Sequence, residues 1–155
     1  MTHEERLLAL GLGLPSAPAP GGNYLPWRRH NDLLYLAGVI SVSTDGESHT
    51  GPVRDDADLD RGRQAAELCA RNLIATIREA LGSLNPVVQF LTLNGYVNAV
   101  PQYGKSPSVI NGASDYIINV FGESGRHARA AVAVAGLPRN ATVEIQAVLV
   151  VDAGI

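Results

Sequence analysis

The sequence predicts an α+β domain in which helices cover one face of a β-sheet. Three observations carry that expectation. Between positions 58 and 81, Ala65, Cys69, Leu73, Ile77 and Leu81 recur at every fourth residue, the spacing of a helix that buries one stripe. Residues 87–97, 130–135 and 142–151 are strand-length runs rich in Val, Ile and Leu or Ala. Clusters of turn-forming residues, His30-Asn31-Asp32 and Gly136-Leu137-Pro138-Arg139-Asn140, join the extended runs and give them an antiparallel, hairpin-forming character.

A chain of 155 residues fits one core, and no internal repeat divides it. With 46% hydrophobic and 17% charged residues it is too apolar to be disordered, while its apolar runs are too short to span a bilayer, so a soluble protein is expected. The formal net charge of -3 leaves no global basic field for nucleic acid or anionic lipid; a small anion would need a local positive site. Cys69 is the sole cysteine and sits on the apolar helix stripe, where it reads as core. The opening residues lack the basic-then-apolar order of a secretion signal, which points to the cytoplasm. His3, His30, His49 and His127 are scattered without helical pairing, so no metal site is expected, and no glycine loop opens a helix as a phosphate cradle would.

In chain order, Thr2 and Glu5 have capping-box spacing ahead of Leu7, Leu8 and Leu10, predicting a short helix on the domain edge that stops before Gly11. Pro15, Pro18 and Pro20 make an extended connector up to Gly22, so residues 1–22 form an N-terminal segment and 23–155 the domain proper. Runs 23–29 and 33–39 read as a strand pair, with Pro26 confining the first to an edge or a bulge. Residues 41–56 read as a surface loop with one short strand, bordering a cleft. The helix over 58–81 takes Asp58 or Asp60 as its cap, Glu67 and Arg71 as an i,i+4 pair and Gly82 as a left-handed stop. Gly95 marks a bulge or a close approach in the strand over 87–97. Ser106-Pro107 supplies an N-cap and first-turn proline for a second helix ending near Phe121-Gly122, with Ile110, Ala113 or Ser114, Ile117 and Phe121 facing the core. One helical layer leaves the other sheet face to be buried by self-association.

Residues 126–151 carry the chemistry. Arg129 stands between Ala128 and Ala130, and its planar fork suits a carboxylate; alone, it reads first as a surface or interface salt-bridge residue, with ligand binding second. Glu144 is the only acid in the last strand run, flanked by Val143 and Ile145, where an unpaired carboxylate is costly to bury. It could pair with an arginine across the sheet. The pattern A-R-x-x-V-x-V-x-x-L-P over Ala128–Pro138, followed by V-E-I-x-A over Val143–Ala147, resembles the RidA/YjgF/UK114 family. The likeness extends upstream through Leu34–Gly38 and Tyr24.

That resemblance implies a chorismate-mutase-like two-layer sandwich, a mixed sheet covered by two helices on one face, assembled as a homotrimer with clefts between subunits. It also implies cofactor-free hydrolysis of reactive enamines and imines to 2-keto acids and ammonia. Arg129 takes the place of the family's carboxylate anchor, and Glu144 that of the glutamate which orients or deprotonates water. Tyr24 matches the cleft-lining tyrosine, although a half-buried strand aromatic is its plain reading. The family's helix asparagine falls at Ser114, with Asn111 one turn earlier on nearly the same face. Ala131 occupies the family's small thiol or hydroxyl position, Ala37-Gly38-Val39 its Ser-Gly-Gln, and His127 its proline, so the pocket has fewer polar groups. His127 reads as a strand cap or interface filler, with proton transfer as the alternative. The rival functions are a non-catalytic trimer that binds small carboxylates and, third, an endoribonuclease, against which the acidic charge and the lack of a catalytic histidine pair both argue.

Overall fold

The computed structural model describes residues 1–11 and 13–154, so positions 12 and 155 of the expected 1–22 and 23–155 segments lie outside it. The first helix, α1 (His3–Ala9), carries the capping box: the Thr2 hydroxyl accepts from the Glu5 amide at 3.2 Å, and the Glu5 carboxylate accepts from the Thr2 amide at 2.7 Å. Leu7 joins the common core, and the Glu4 carboxylate pairs with Arg78 and accepts from the Leu84 amide. The segment is thereby clasped to the domain through both apolar and charged contacts.

The sheet contains β1 (Trp27–His30), β2 (Leu33–Leu36), β3 (Val39–Ile40), β4 (Val87–Asn98), β5 (Ala128–Val134) and β6 (Val143–Val151), in the order β1-β2-β6-β4-β5 with β3 also on β6. β1 and β2 pair antiparallel through a turn at Asn31, whose φ of 55° lies in the left-handed region. Pro26 immediately precedes edge strand β1, where no ladder hydrogen bond is lost.

The two last strands are not neighbours, contrary to the hairpin character read from the turn between them. β4 lies between them, parallel to β5 and antiparallel to β6. The reason is the helix that intervenes between β4 and β5, because a parallel pair requires a long crossover and a short turn cannot make one. The chain then returns over the end of β4 through a 3₁₀ turn at Pro138–Asn140, with Arg139 and Asn140 both at φ 56°. The Asn98 side-chain amide pins this return by donating to the Ala141 carbonyl at 3.1 Å.

Helices α2 (Leu59–Leu81) and α3 (Ser106–Phe121) cover one face. On that face, β6 contributes Val143, Ile145, Ala147, Leu149 and Val151 to the core, while Glu144, Gln146, Val148 and Val150 point to the other. The helices meet at backbone distance at Gly112, where an added Cβ would lie 2.2 Å from the Arg63 carbonyl oxygen. At Gly95 the expected close approach is present, since a Cβ there would lie 2.6 Å from Ile110. Gly82 ends α2 at φ 77°, as its position predicts.

Three local expectations are overturned. Asp58 stands at the cap position of α2, but its side chain turns back to accept from the Arg54 amide at 2.8 Å, and Asp55 caps the preceding 3₁₀ turn instead. Arg71 leaves Glu67 for Glu47, to which it donates at 2.8 and 3.0 Å, because the loop over 41–56 folds within reach. Ser106 is the first residue of α3 and not its cap; Lys105 precedes it with a non-helical backbone.

The 41–56 loop is more firmly held than a surface loop. Ser41 is fully buried; its hydroxyl donates to the His49 carbonyl at 2.7 Å and accepts from the Thr142 and Val143 amides at 3.1 and 3.2 Å. These bonds fix the start of β6 just before Glu144. No helix among the described residues is long and apolar enough to cross a membrane.

Candidate functional site

Arg129 projects from edge strand β5 onto α3. Its Nη1 donates to Asn111 Oδ1 at 2.8 Å and to Ser114 Oγ at 3.1 Å, and Nη2 donates to the Pro107 carbonyl at 3.3 Å. The strand-to-helix register thus brings together three residues read from the sequence, Arg129, Asn111 and Ser114. Both Nη1 hydrogens are spent, whereas the Nε hydrogen and one on Nη2 have no partner among the described residues. A guanidinium braced on one edge and open on the other is preorganised for a carboxylate. Ala131 follows on the same face of β5 and packs against the core, so no hydroxyl or thiol stands beside the arginine at that position.

Ser114 is itself held. His127 Nδ1 lies 2.6 Å from the Gly125 carbonyl, which can only accept, so Nδ1 carries the hydrogen and the neutral ring offers the Nε2 lone pair. Nε2 is 2.9 Å from Ser114 Oγ, so the serine hydroxyl donates to it. Burial, and to a smaller degree the Arg129 charge, hold the His127 pKa below the ordinary histidine value and favour this neutral form.

Glu144 occupies a different surface. It lines a cavity of about 510 Å³ with Tyr24, Pro26, Gly38, Val39 and Arg139, walled by residues 18–21 of the proline-rich connector. Gly38 makes room for the carboxylate, since a Cβ there would lie 2.7 Å from Glu144 Oε2. Glu144 has no ion pair and no hydrogen bond among the described residues, so the cross-sheet arginine partner considered from sequence is absent there. Burial raises its pKa above the usual carboxylate value. Tyr24 is 49% exposed, and its hydroxyl accepts from the Gly21 amide at 3.0 Å, fixing the connector's end against the cavity.

Arg129 pairs with Leu93 of β4, and Glu144 pairs with Tyr96. Leu93 is core and Tyr96 faces away, so within one protomer the arginine is on the helix-covered side and the glutamate on the open side. The five residues read from the sequence as polar therefore form two clusters, Arg129-Asn111-Ser114 and Glu144-Tyr24.

Arg139 and the His127 contact to Ser114 were not assigned to the site from sequence. Arg139 lies in the turn directly after Leu137-Pro138 of the motif, and that place is the signal for it in the sequence. The His127–Ser114 contact spans thirteen positions and exists only through tertiary packing. Cys69 is fully buried, donates to the Val143 carbonyl at 3.3 Å and has its thiol pKa pushed well up by burial, so it behaves as a core residue. No cluster of three His, Cys, Asp or Glu side chains suited to a metal occurs among the described residues.

The sheet order, the one-sided helical layer and the parallel edge strand define an α+β protein of the chorismate-mutase-like class. A family model described as "YjgF/chorismate_mutase-like, putative endoribonuclease" matches residues 4–149, and the chain belongs to this RidA/YjgF family. It is similar to Protein TCP17 of Trypanosoma cruzi, 39% identical over 92% of this chain and 90% of that protein. It is also similar to a 2-iminobutanoate/2-iminopropanoate deaminase of Dermatophagoides farinae, 28% identical over 91% of this chain and 95% of the other. Among solved structures, the protein Atu1372 from Agrobacterium tumefaciens superposes with a TM-score of 0.87 at 44% identity, covering 97% of this chain and 92% of that one.

Proposed function

We propose that this protein hydrolyses reactive imines and enamines of amino-acid metabolism to 2-keto acids and ammonia without a cofactor, in a cleft between subunits of a homotrimer. The observation that carries the reading is the Glu144 carboxylate, half-buried at a cavity and without an ion pair or hydrogen bond among the described residues. A cationic iminium carbon with bound water beside it would meet the charge and the proton acceptor it needs. The Arg129 fork supplies the carboxylate anchor. Water adds to the iminium carbon as its proton passes to Glu144. The carbinolamine nitrogen then takes that proton, and ammonia leaves as the hydroxyl passes its own proton to the freed Glu144 carboxylate, forming the ketone. A carboxylate whose pKa is raised both accepts and returns a proton more evenly than an ordinary one.

The opposite-face arrangement supports assembly. One protomer holds the anchor and another the base, and Tyr35 and Val132, each 47% exposed on the open face, would be covered by a neighbouring copy. The 2-iminobutanoate/2-iminopropanoate deaminase relative supports the reaction class. The test is whether the purified protein accelerates decay of an imine generated in situ from 2-aminoacrylate; acceleration that is abolished by Arg129→Ala is expected.

A second reading is a trimer that binds small carboxylates without turnover, favoured by the apolar Val39 in the Glu144 cavity and by Ala131 beside Arg129. Pyruvate binding with no acceleration for imines of several side-chain sizes would select it. The net charge of -3 favours neither reading over the other but weighs against an RNA substrate.

A further inference from the structure

The four groups in line, the Gly125 carbonyl, His127, Ser114 and Arg129, have a hydrogen-bond direction fixed from one end. Gly125 can only accept, so His127 Nδ1 donates at 2.6 Å, Nε2 accepts from Ser114 at 2.9 Å, and Ser114 Oγ is left with lone pairs alone toward Arg129 Nη1 at 3.1 Å. A serine hydroxyl beside an arginine can rotate either way, and an O–H turned toward the guanidinium would repel it. The imidazole removes that choice. Phe90 of β4 packs near the ring, with centroids 6.5 Å apart, and Arg129 is the charge that acts on it.

We propose that His127 is a positioning residue for carboxylate binding: its Nε2 lone pair locks the Ser114 hydroxyl so that Arg129 is held by Ser114 and Asn111 together with its free edge presented to the ligand. The proposal rests on Arg129 being the carboxylate anchor. The consequence is a gain in preorganisation: a fork held in place loses less freedom when the ligand arrives.

Two variants and one ligand-independent measurement test it. His127→Phe keeps a ring against Phe90 and removes the acceptor; His127→Gln can offer a side-chain oxygen to Ser114 near the position of Nε2. With pyruvate as the probe, His127→Phe should weaken binding about tenfold, the scale of one hydrogen bond to a charged group. His127→Gln should restore it to near the wild-type value, with both variants melting close to wild type. Wild-type affinity in His127→Phe, or a Gln variant as weak as Phe, overturns the role. Separately, nitrogen-15 NMR should find the neutral ring protonated at Nδ1, with Arg129 guanidinium protons that exchange faster in His127→Phe. If the wild type binds no pyruvate, the anchor reading fails alone and these spectra decide the relay; an Nε2-protonated ring, or unchanged exchange, overturns it.

Discussion

Arg129 and Glu144 stand on opposite faces of one sheet, joined through β4, where their partners Leu93 and Tyr96 lie three residues apart. Alternation of side chains along a strand makes that separation unavoidable, since an odd offset always changes face. If the two residues act on one substrate, they come from two copies of the chain.

Mixing two defective proteins tests this directly. Arg129→Ala and Glu144→Gln should each be nearly inactive toward the imine, yet subunits exchanged at equal amounts should regain activity at about a quarter of the sites, those that pair one intact residue from each copy. Native mass spectrometry verifies the mixed assemblies. Mixed trimers with no recovered activity would rule out the shared cleft.

Arg129→Lys retains the charge and loses the fork. An ammonium cannot hold Asn111, Ser114 and the Pro107 carbonyl while also presenting paired donors, so pyruvate affinity should fall by about 10–100-fold. Calorimetric titration measures it, and an unchanged affinity would take Arg129 out of the site.

Glu144→Gln separates chemistry from stability. Turnover should drop by about 10²–10⁴ while pyruvate affinity holds. The folded pKa of Glu144 is raised above 4.5 by burial, so the folded state binds the proton more tightly than the unfolded chain. Its carboxylate therefore costs stability at neutral pH, and that cost disappears as pH falls through the raised value to below 4.5. The variant should melt higher than wild type near neutrality and converge with it in acid. A lower melting temperature at neutral pH would mean that a cation pairs with Glu144 in the assembled protein.

Gly112→Ala should destabilise the protomer by about 1–3 kcal/mol or more, because its Cβ would meet the Arg63 carbonyl at 2.2 Å and α2 and α3 would have to part. Gly104→Ala, with nothing within 4 Å, is the control and should be near neutral in urea unfolding. Equal effects at the two positions would refute the close crossing.

The sequence by itself determined the elements and several of their ends. The four-residue apolar spacing of α2, the capping box at Thr2 and Glu5, and Gly82 as a left-handed stop were all legible because each depends on residues within a few positions of one another. Local rules also misled where a distant partner competed: Arg71 found Glu47 across space, and Asp58 found the Arg54 amide. The motif around Arg129 and Glu144 identified the family.

Only the tertiary structure decided how those residues relate. That β5 and β6 flank β4 follows from the crossover through α3, and no turn signal between them encodes it. The division of the site into an arginine cluster on one face and a glutamate cavity on the other follows from strand order and register. Contacts such as His127 to Ser114 arise when an edge strand is laid beside a helix. Periodicity along a chain states which face a residue occupies, but which elements share that face is set by packing between segments far apart in sequence.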